Sequence, residues 1–166
     1  MRKNSGFSLF ELMIVIALIS IIAGVAVPNM MNWRAGAKMR GAVENLRGDL
    51  LSAKLAAVKE SSFVVVTFSA GGYRVFVDNG AGAHSSNWVC DLDERILRSR
   101  QLASGIIIDL GSTDFPETAP PSVPPAKQTR FNDRGLPENV GQVVLVGSDG
   151  ARRLILMNRL GRLMVQ

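Results

Sequence analysis

One cysteine, one histidine and one tyrosine occur in the 166 residues, and only 6% of the chain is aromatic. With Cys90 alone, no intramolecular disulfide can form, so a disulfide-stapled scaffold and a thiolate-rich metal site are both excluded. His84 sits in Gly-Ala-His-Ser-Ser, the setting of a solvated loop histidine, with no second histidine to build a base or ligand pair. Cys90 beside Trp88 lacks the partners of an activated nucleophile. Asp91, Asp93 and Glu94 form an acidic cluster that lacks the spacing and glycine of an EF-hand loop, so a surface turn is the plainer reading. No glycine-rich phosphate loop of the Walker type is present, so energy for any assembly must come from another protein. No catalytic constellation emerges, no cofactor is implied, and the chain reads as a protein that is not an enzyme. Basic residues exceed acidic ones, 19 to 14, but form no run of the kind a nucleic-acid-binding tail shows.

Charge is also missing where it matters most. From Leu12 to Trp33 there is no Asp, Glu, Lys or Arg, and Leu12 to Val27 is almost wholly aliphatic, about the length a helix needs to cross a bilayer. Arg2 and Lys3 precede it, so the positive-inside rule keeps the short amino end cytoplasmic and sends the rest across. A cleaved secretory signal would share this layout, with Gly24-Val25-Ala26 offered to a signal peptidase. Glu11 speaks against that reading. A carboxylate at the edge of an apolar span needs a partner, and an amine at the start of the same or a neighbouring helix is the nearest candidate. Gly24 and Pro28 should kink or locally unwind this helix, because proline lacks the amide and crowds the carbonyl four residues back.

Gly6-Phe7-Ser8-Leu9-Phe10-Glu11-Leu12, with its short basic leader and aliphatic sequel, resembles the class III signal of type IV prepilins and pseudopilins. The resemblance implies that a prepilin peptidase cuts between Gly6 and Phe7, that Phe7 becomes an N-methylated first residue, and that Glu11 docks on the amine of a neighbouring subunit. It also implies that the segment around Gly24 and Pro28 stretches during assembly. Small residues Ala17, Ala23, Gly24 and Ala26 would let helices approach closely in such a bundle.

Beyond Trp33, apolar residues at Met39, Val43, Leu46, Leu50, Ala53 and Ala57 recur in steps of three and four, which predicts an amphipathic continuation of the helix; a break near Pro28 or Gly41 would make it two. From Ser62 the period changes. Phe63 to Phe68 and Tyr73 to Val77, joined through Gly71-Gly72, predict a hairpin, and further strands are expected at 95–97, 106–110, 129–131, 142–146, 153–157 and within 160–165. The proline-rich stretch from Gly111 to Lys127 reads as a long exposed loop. The expected fold is therefore α+β, with one long helix laid on antiparallel sheets of seven or eight short strands. Phe131-Asn132-Asp133-Arg134-Gly135 and Gly161-Arg162 resemble the carboxyl half of GspH/FimT-type minor pilins and pseudopilins.

The implied organisation is a leader over 1–6, a membrane and filament-core helix over 7–33, its amphipathic continuation over 34–60, and a β-rich domain over 61–166. The implied role is a structural minor subunit of a type II secretion pseudopilus or a type IV pilus. It would be a single-pass inner-membrane protein with its domain in the periplasm, and its partners would be other pilin subunits and the prepilin peptidase. The alternative is a DNA-binding minor pilin. Some FimT-type relatives contact DNA through a glycine-arginine-any-arginine motif, but here Met164 stands where the second arginine would be, leaving Arg159 and Arg162, with Arg152 and Arg153 on the preceding strand, as the candidate contacts.

Overall fold

A single helix, α1, runs without interruption from Leu9 to Glu60 in the computed structural model, which describes residues 8–80, 86–118 and 126–166. Its two halves live in different surroundings. The carboxyl half buries the predicted stripe: Met39, Val43, Leu46, Leu50, Ala53 and Ala57 are all buried in the core. None of the most apolar stretch of the amino half is covered by the rest of the molecule. The backbone is helical through residues 24–28, so the unwinding expected at Gly24 and Pro28 is not found. One absent amide is a small loss within a cooperative helix whose other backbone groups have no better partner in apolar surroundings. Ser20, within this stretch, donates its hydroxyl to the carbonyl of Ile16 at 2.8 Å and so carries no unmet polar group. At the far end Ser61 takes the left-handed conformation (φ 48°). The amides of Ser61 and Ser62 close back on Val58 and Ala57, stopping the helix with the hydrogen bonds of a Schellman motif.

Among the described residues nine strands follow: β1 (Phe63–Ser69), β2 (Gly72–Asp78), β3 (Ile96–Gln101), β4 (Ile106–Ile108), β5 (Glu117–Thr118), β6 (Ala126–Phe131), β7 (Gly141–Gly147), β8 (Arg152–Met157) and β9 (Leu163–Val165). They form two antiparallel sheets, ordered β3-β2-β1-β6-β5 and β4-β7-β8-β9. The α+β expectation holds. The proline-rich segment departs from it: β5 pairs with the start of β6, Phe115 is buried and stacks on Phe68 with ring centroids 5.4 Å apart, and the Thr113 hydroxyl donates to the Asp109 carbonyl. Pro120, Pro121, Pro124 and Pro125 lie outside the described residues.

The strand alternation of β1 and β2 loads both faces of the larger sheet. Val64, Val66, Phe68, Tyr73, Val75 and Val77 belong to the core under α1, whereas Val65 and Phe76, paired across the strands, are just as buried on the opposite face. On that face Arg130, the partner of Val65 on β6, meets the ring of Trp88 and the carbonyl of Ser86.

A polar tie links helix to sheet inside this frame. Asp49 on α1 accepts the hydroxyl of Tyr73 on β2 at 2.7 Å and Nε of Arg100 on β3 at 2.8 Å. Burial, and then the adjacent Asp49 carboxylate, push the Tyr73 phenol well above its ordinary range. The sign of the pH effect follows. Up to about pH 10 folded and unfolded chains both keep the proton; above it the unfolded chain releases it and the folded chain does not, so stability falls as pH rises. Because Tyr73 is the sole tyrosine, phenolate absorbance in an alkaline titration is expected to appear only as circular dichroism reports unfolding. Phenolate forming near pH 10 in a folded chain would contradict the buried hydrogen bond.

Candidate functional site

Glu11 occupies the first turn of α1, exposed, where the unpaired amides of a helix start favour a carboxylate. It is followed by a charge-free run to Arg34, which at 1.5 Å per residue puts those two charges ~35 Å apart, close to the thickness of a bilayer's apolar core. Along that run Leu12, Ile16, Ile19, Ile22, Val25 and Val27 are each more than half exposed. Water is a poor medium for such a surface; lipid, or the equivalent helices of other subunits, would cover it. Gly6 and Phe7, the expected cleavage and methylation positions, lie outside the described residues, as does His84.

The carboxyl-half motif resolves into two copies of one turn. The Asn132 amide donates to the Leu136 carbonyl and the Gly135 amide to the Asn132 carbonyl, while Asn132 Oδ1 accepts the amides of Arg134 and Leu136, both at 3.0 Å. Asn158 repeats the pattern with Arg162, Gly161, Leu160 and again Arg162. Each is a three-residue hairpin loop closed by a glycine in the left-handed region, φ 72° at Gly135 and 69° at Gly161. Both glycines press on the end of α1. A Cβ at Gly135 would come within 3.0 Å of Val58 and one at Gly161 within 3.1 Å of Lys54 Nζ, whose ammonium donates to the Leu160 carbonyl. The motif therefore clamps both sheets to the last turns of the helix. Its second half, Asn158, was signalled by the repeated Asn-x-x-Gly spacing, which sequence reasoning passed over.

Arg130 is the other residue sequence reasoning missed. Its guanidinium lies between the rings of Phe63 and Trp88, 4.1 and 4.2 Å from their centroids, and donates to Glu138 at 2.6 Å and to the Ser86 carbonyl. Asp78, buried below it, accepts the amides of Asn87 and Trp88. Glu94 accepts those of Gly80 and Asp91, and burial raises its carboxyl above the usual carboxylate range. The acidic cluster thus serves to fold the 86–94 segment, and among the described residues no group of three His, Cys, Asp or Glu side chains is placed to hold a metal ion. Cys90 stands beside a cleft of about 650 Å³ lined also by Trp88, Arg74, Arg100 and Thr67. Burial raises its thiol above the ordinary value, which keeps it a poor nucleophile.

The four arginines considered for DNA do not form one patch. Arg159 and Arg162 are exposed on the Asn158 turn, at one end of β8; Arg152 and Arg153 stand at the other, and Arg152 is engaged by Asp109 at 3.1 Å. Four residues of extended strand, 154–157, separate Arg153 from the Asn158 turn, roughly 13 Å at 3.3 Å each.

Comparison with known proteins agrees with this architecture. The model of a family described as type II transport protein GspH matches residues 42–161, and that of the prokaryotic N-terminal methylation motif matches residues 1–27. The chain is 47% identical over 45 residues to the type IV major pilin protein PilA of Myxococcus xanthus, covering 27% of this chain and 20% of that one. It is 33% identical over 79 residues to the pilin-like protein PilA1 of Thermus thermophilus, covering 46% of this chain and 49% of that one. The match thus spans half or less of the length of each curated relative. No solved structure matches the chain significantly.

Proposed function

The chain belongs to the GspH family of type II transport proteins and is a type IV pilin-like protein with a prepilin signal, and from that premise we propose that it is a structural, non-catalytic minor subunit of a type II secretion pseudopilus. A type IV pilus is the other filament in which the same device would serve. Residues 1–6 act as a leader removed by a prepilin peptidase, Phe7 becomes the methylated first residue, residues 7–33 anchor the subunit in the inner membrane and later fill the filament core, and residues 34–166 stand in the periplasm. One observation carries this reading: a single unbroken helix is bare and apolar over its first half and welded into a β-domain over its second. Such a helix can hold a domain at a membrane and then hand it to a filament with the β-domain intact. Gly24 and Pro28 give the bare half a weak point at which to kink or stretch during that transfer. A nucleic-acid contact has only Arg159 and Arg162 to rest on, against the whole helix for assembly.

The mass of the amino-terminal peptide, taken from cells carrying the matching prepilin peptidase, tests this. A peptide starting at Phe7 and heavier by one methyl group is the expected result. A mature chain starting near Val27 would instead make this a secreted domain and remove the filament reading.

A further inference from the structure

We propose that the end of the domain nearest the apolar half of α1 is a binding surface for anionic phospholipid headgroups, built from Trp33, Arg34, Lys38 and Arg40 on the helix and Arg153 at the start of β8. The proposal rests on the reading of α1 as a membrane span.

The helix sets the levels. With Glu11 at one edge of the apolar core, the charge-free run brings Arg34 to the opposite edge, and Lys38 and Arg40 follow roughly 6 and 9 Å further out. The headgroup layer occupies roughly the next 5–8 Å on each side. Side chains on a helix lean toward its amino end, so these three long cations reach back into that layer, their methylene stems along the helix. Trp33, 67% exposed, stands just inside them at the depth where amphipathic rings settle.

The sheet adds to the same surface. Met39 is the first helix residue the domain buries, and its methyl group lies 3.1 Å from where a Cβ on Gly147 would be, so the turn joining β7 to β8 sits beside this level of the helix. From there β8 climbs to the Asn158 turn beside Lys54, which leaves Arg152 and Arg153 at the foot of the domain and Arg159 and Arg162 at its top.

Counter-charge is short at this foot. Asp109 is paired with Arg152, which leaves the charge of Asp149, hydrogen-bonded to the Ala151 amide, against the four cations. Among the described residues no ion pair is formed by Arg34, Lys38, Arg40 or Arg153. The positive-inside bias runs against three cations within seven residues on the translocated flank of a span, so their presence there calls for a partner. A lipid phosphate lies at the right depth and has the right charge.

The full chain reconstituted in phosphatidylcholine vesicles provides the test. Energy transfer from Trp33, with Trp33→Phe as background, is compared for traces of dansyl-phosphatidylglycerol and dansyl-phosphatidylcholine. Transfer to the anionic probe is expected to exceed that to the zwitterionic one by about three- to tenfold at low salt, given the attraction of each basic residue to an anionic surface, and to fall to parity in high salt. Joint replacement of Arg34, Lys38, Arg40 and Arg153 by glutamine should also give parity, whereas Arg159→Gln with Arg162→Gln should keep the excess. Equal transfer to both probes in the unmodified chain overturns the proposal and would leave acidic groups of a neighbouring subunit as the partner. An excess that survives the four replacements overturns it equally. No transfer to either probe would show that α1 does not enter the bilayer, and the span reading would fall with it.

Discussion

Phe131→Ala is expected to lower the stability of the folded chain by about 3–5 kcal/mol, the range for truncating a fully buried phenylalanine in a core that only partly collapses. Phe131 is 1% exposed, lies opposite Val64 in the β1–β6 pairing, and bridges to Pro137 across the turn it begins. Losing the ring opens a cavity where the larger sheet, the Asn132 turn and the last turns of α1 converge. Domains of this size hold about 5–15 kcal/mol in all, so a large share of the stability would go. The denaturant midpoint of the chain in detergent should drop with little change in slope. Asn132→Ala, which removes the side-chain acceptor of two exposed amides, should cost only about 1 kcal/mol. This ordering decides what the motif is for. A clamp between sheets and helix predicts the phenylalanine to dominate; if Phe131→Ala were nearly neutral, the motif would have to be a contact surface and not a piece of the core.

Much of that clamp was legible in the chain, and the parts that were not share a cause. The stripe from Met39 to Ala57 could be read because helical spacing is local, and the first hairpin because β-branched residues flank a Gly-Gly turn. The insertion of β6 between β1 and β5 could not be read, since the antiparallel partners of β1 and β6 lie 59 to 67 residues apart and leave no local trace. The near-continuous run Phe63 to Phe68 did hint at a strand buried on both faces, as it is. What covers its outer face depends on Arg130, a residue whose charge argues for solvent until two rings and the neighbouring carboxylates are brought around it. Asp49 and Tyr73 were invisible for the same reason: each is unremarkable in its own segment and gains meaning only from the other. At the amino terminus the order is reversed, for there the motif is explicit in sequence and the partner proposed for it lies on another subunit.

Glu11→Gln is expected to leave leader cleavage, methylation and membrane insertion unchanged and to reduce the amount of the subunit recovered in filaments by at least about tenfold. The substitution keeps the size and hydrogen-bonding capacity of the side chain and removes only its charge. In the isolated chain Glu11 is exposed in the first helical turn, with no basic side chain among the described residues nearer than Arg34 in the sequence. Inside a bundle of apolar helices such a charge would be costly alone, and so would the methylated amine of Phe7; brought together they neutralise each other, and removing one partner of a buried pair typically costs about 3–5 kcal/mol. An energy of that size, applied at one point along otherwise uniform aliphatic helices, would set the axial position of the incoming subunit, because sliding by a turn would separate the charges while changing the apolar contacts little. Immunoblots of purified filaments and of membranes from the same cells measure the two pools. Normal incorporation of the glutamine variant would mean that docking relies on shape and apolar packing alone, and the register would then have to be set by the β-rich domains.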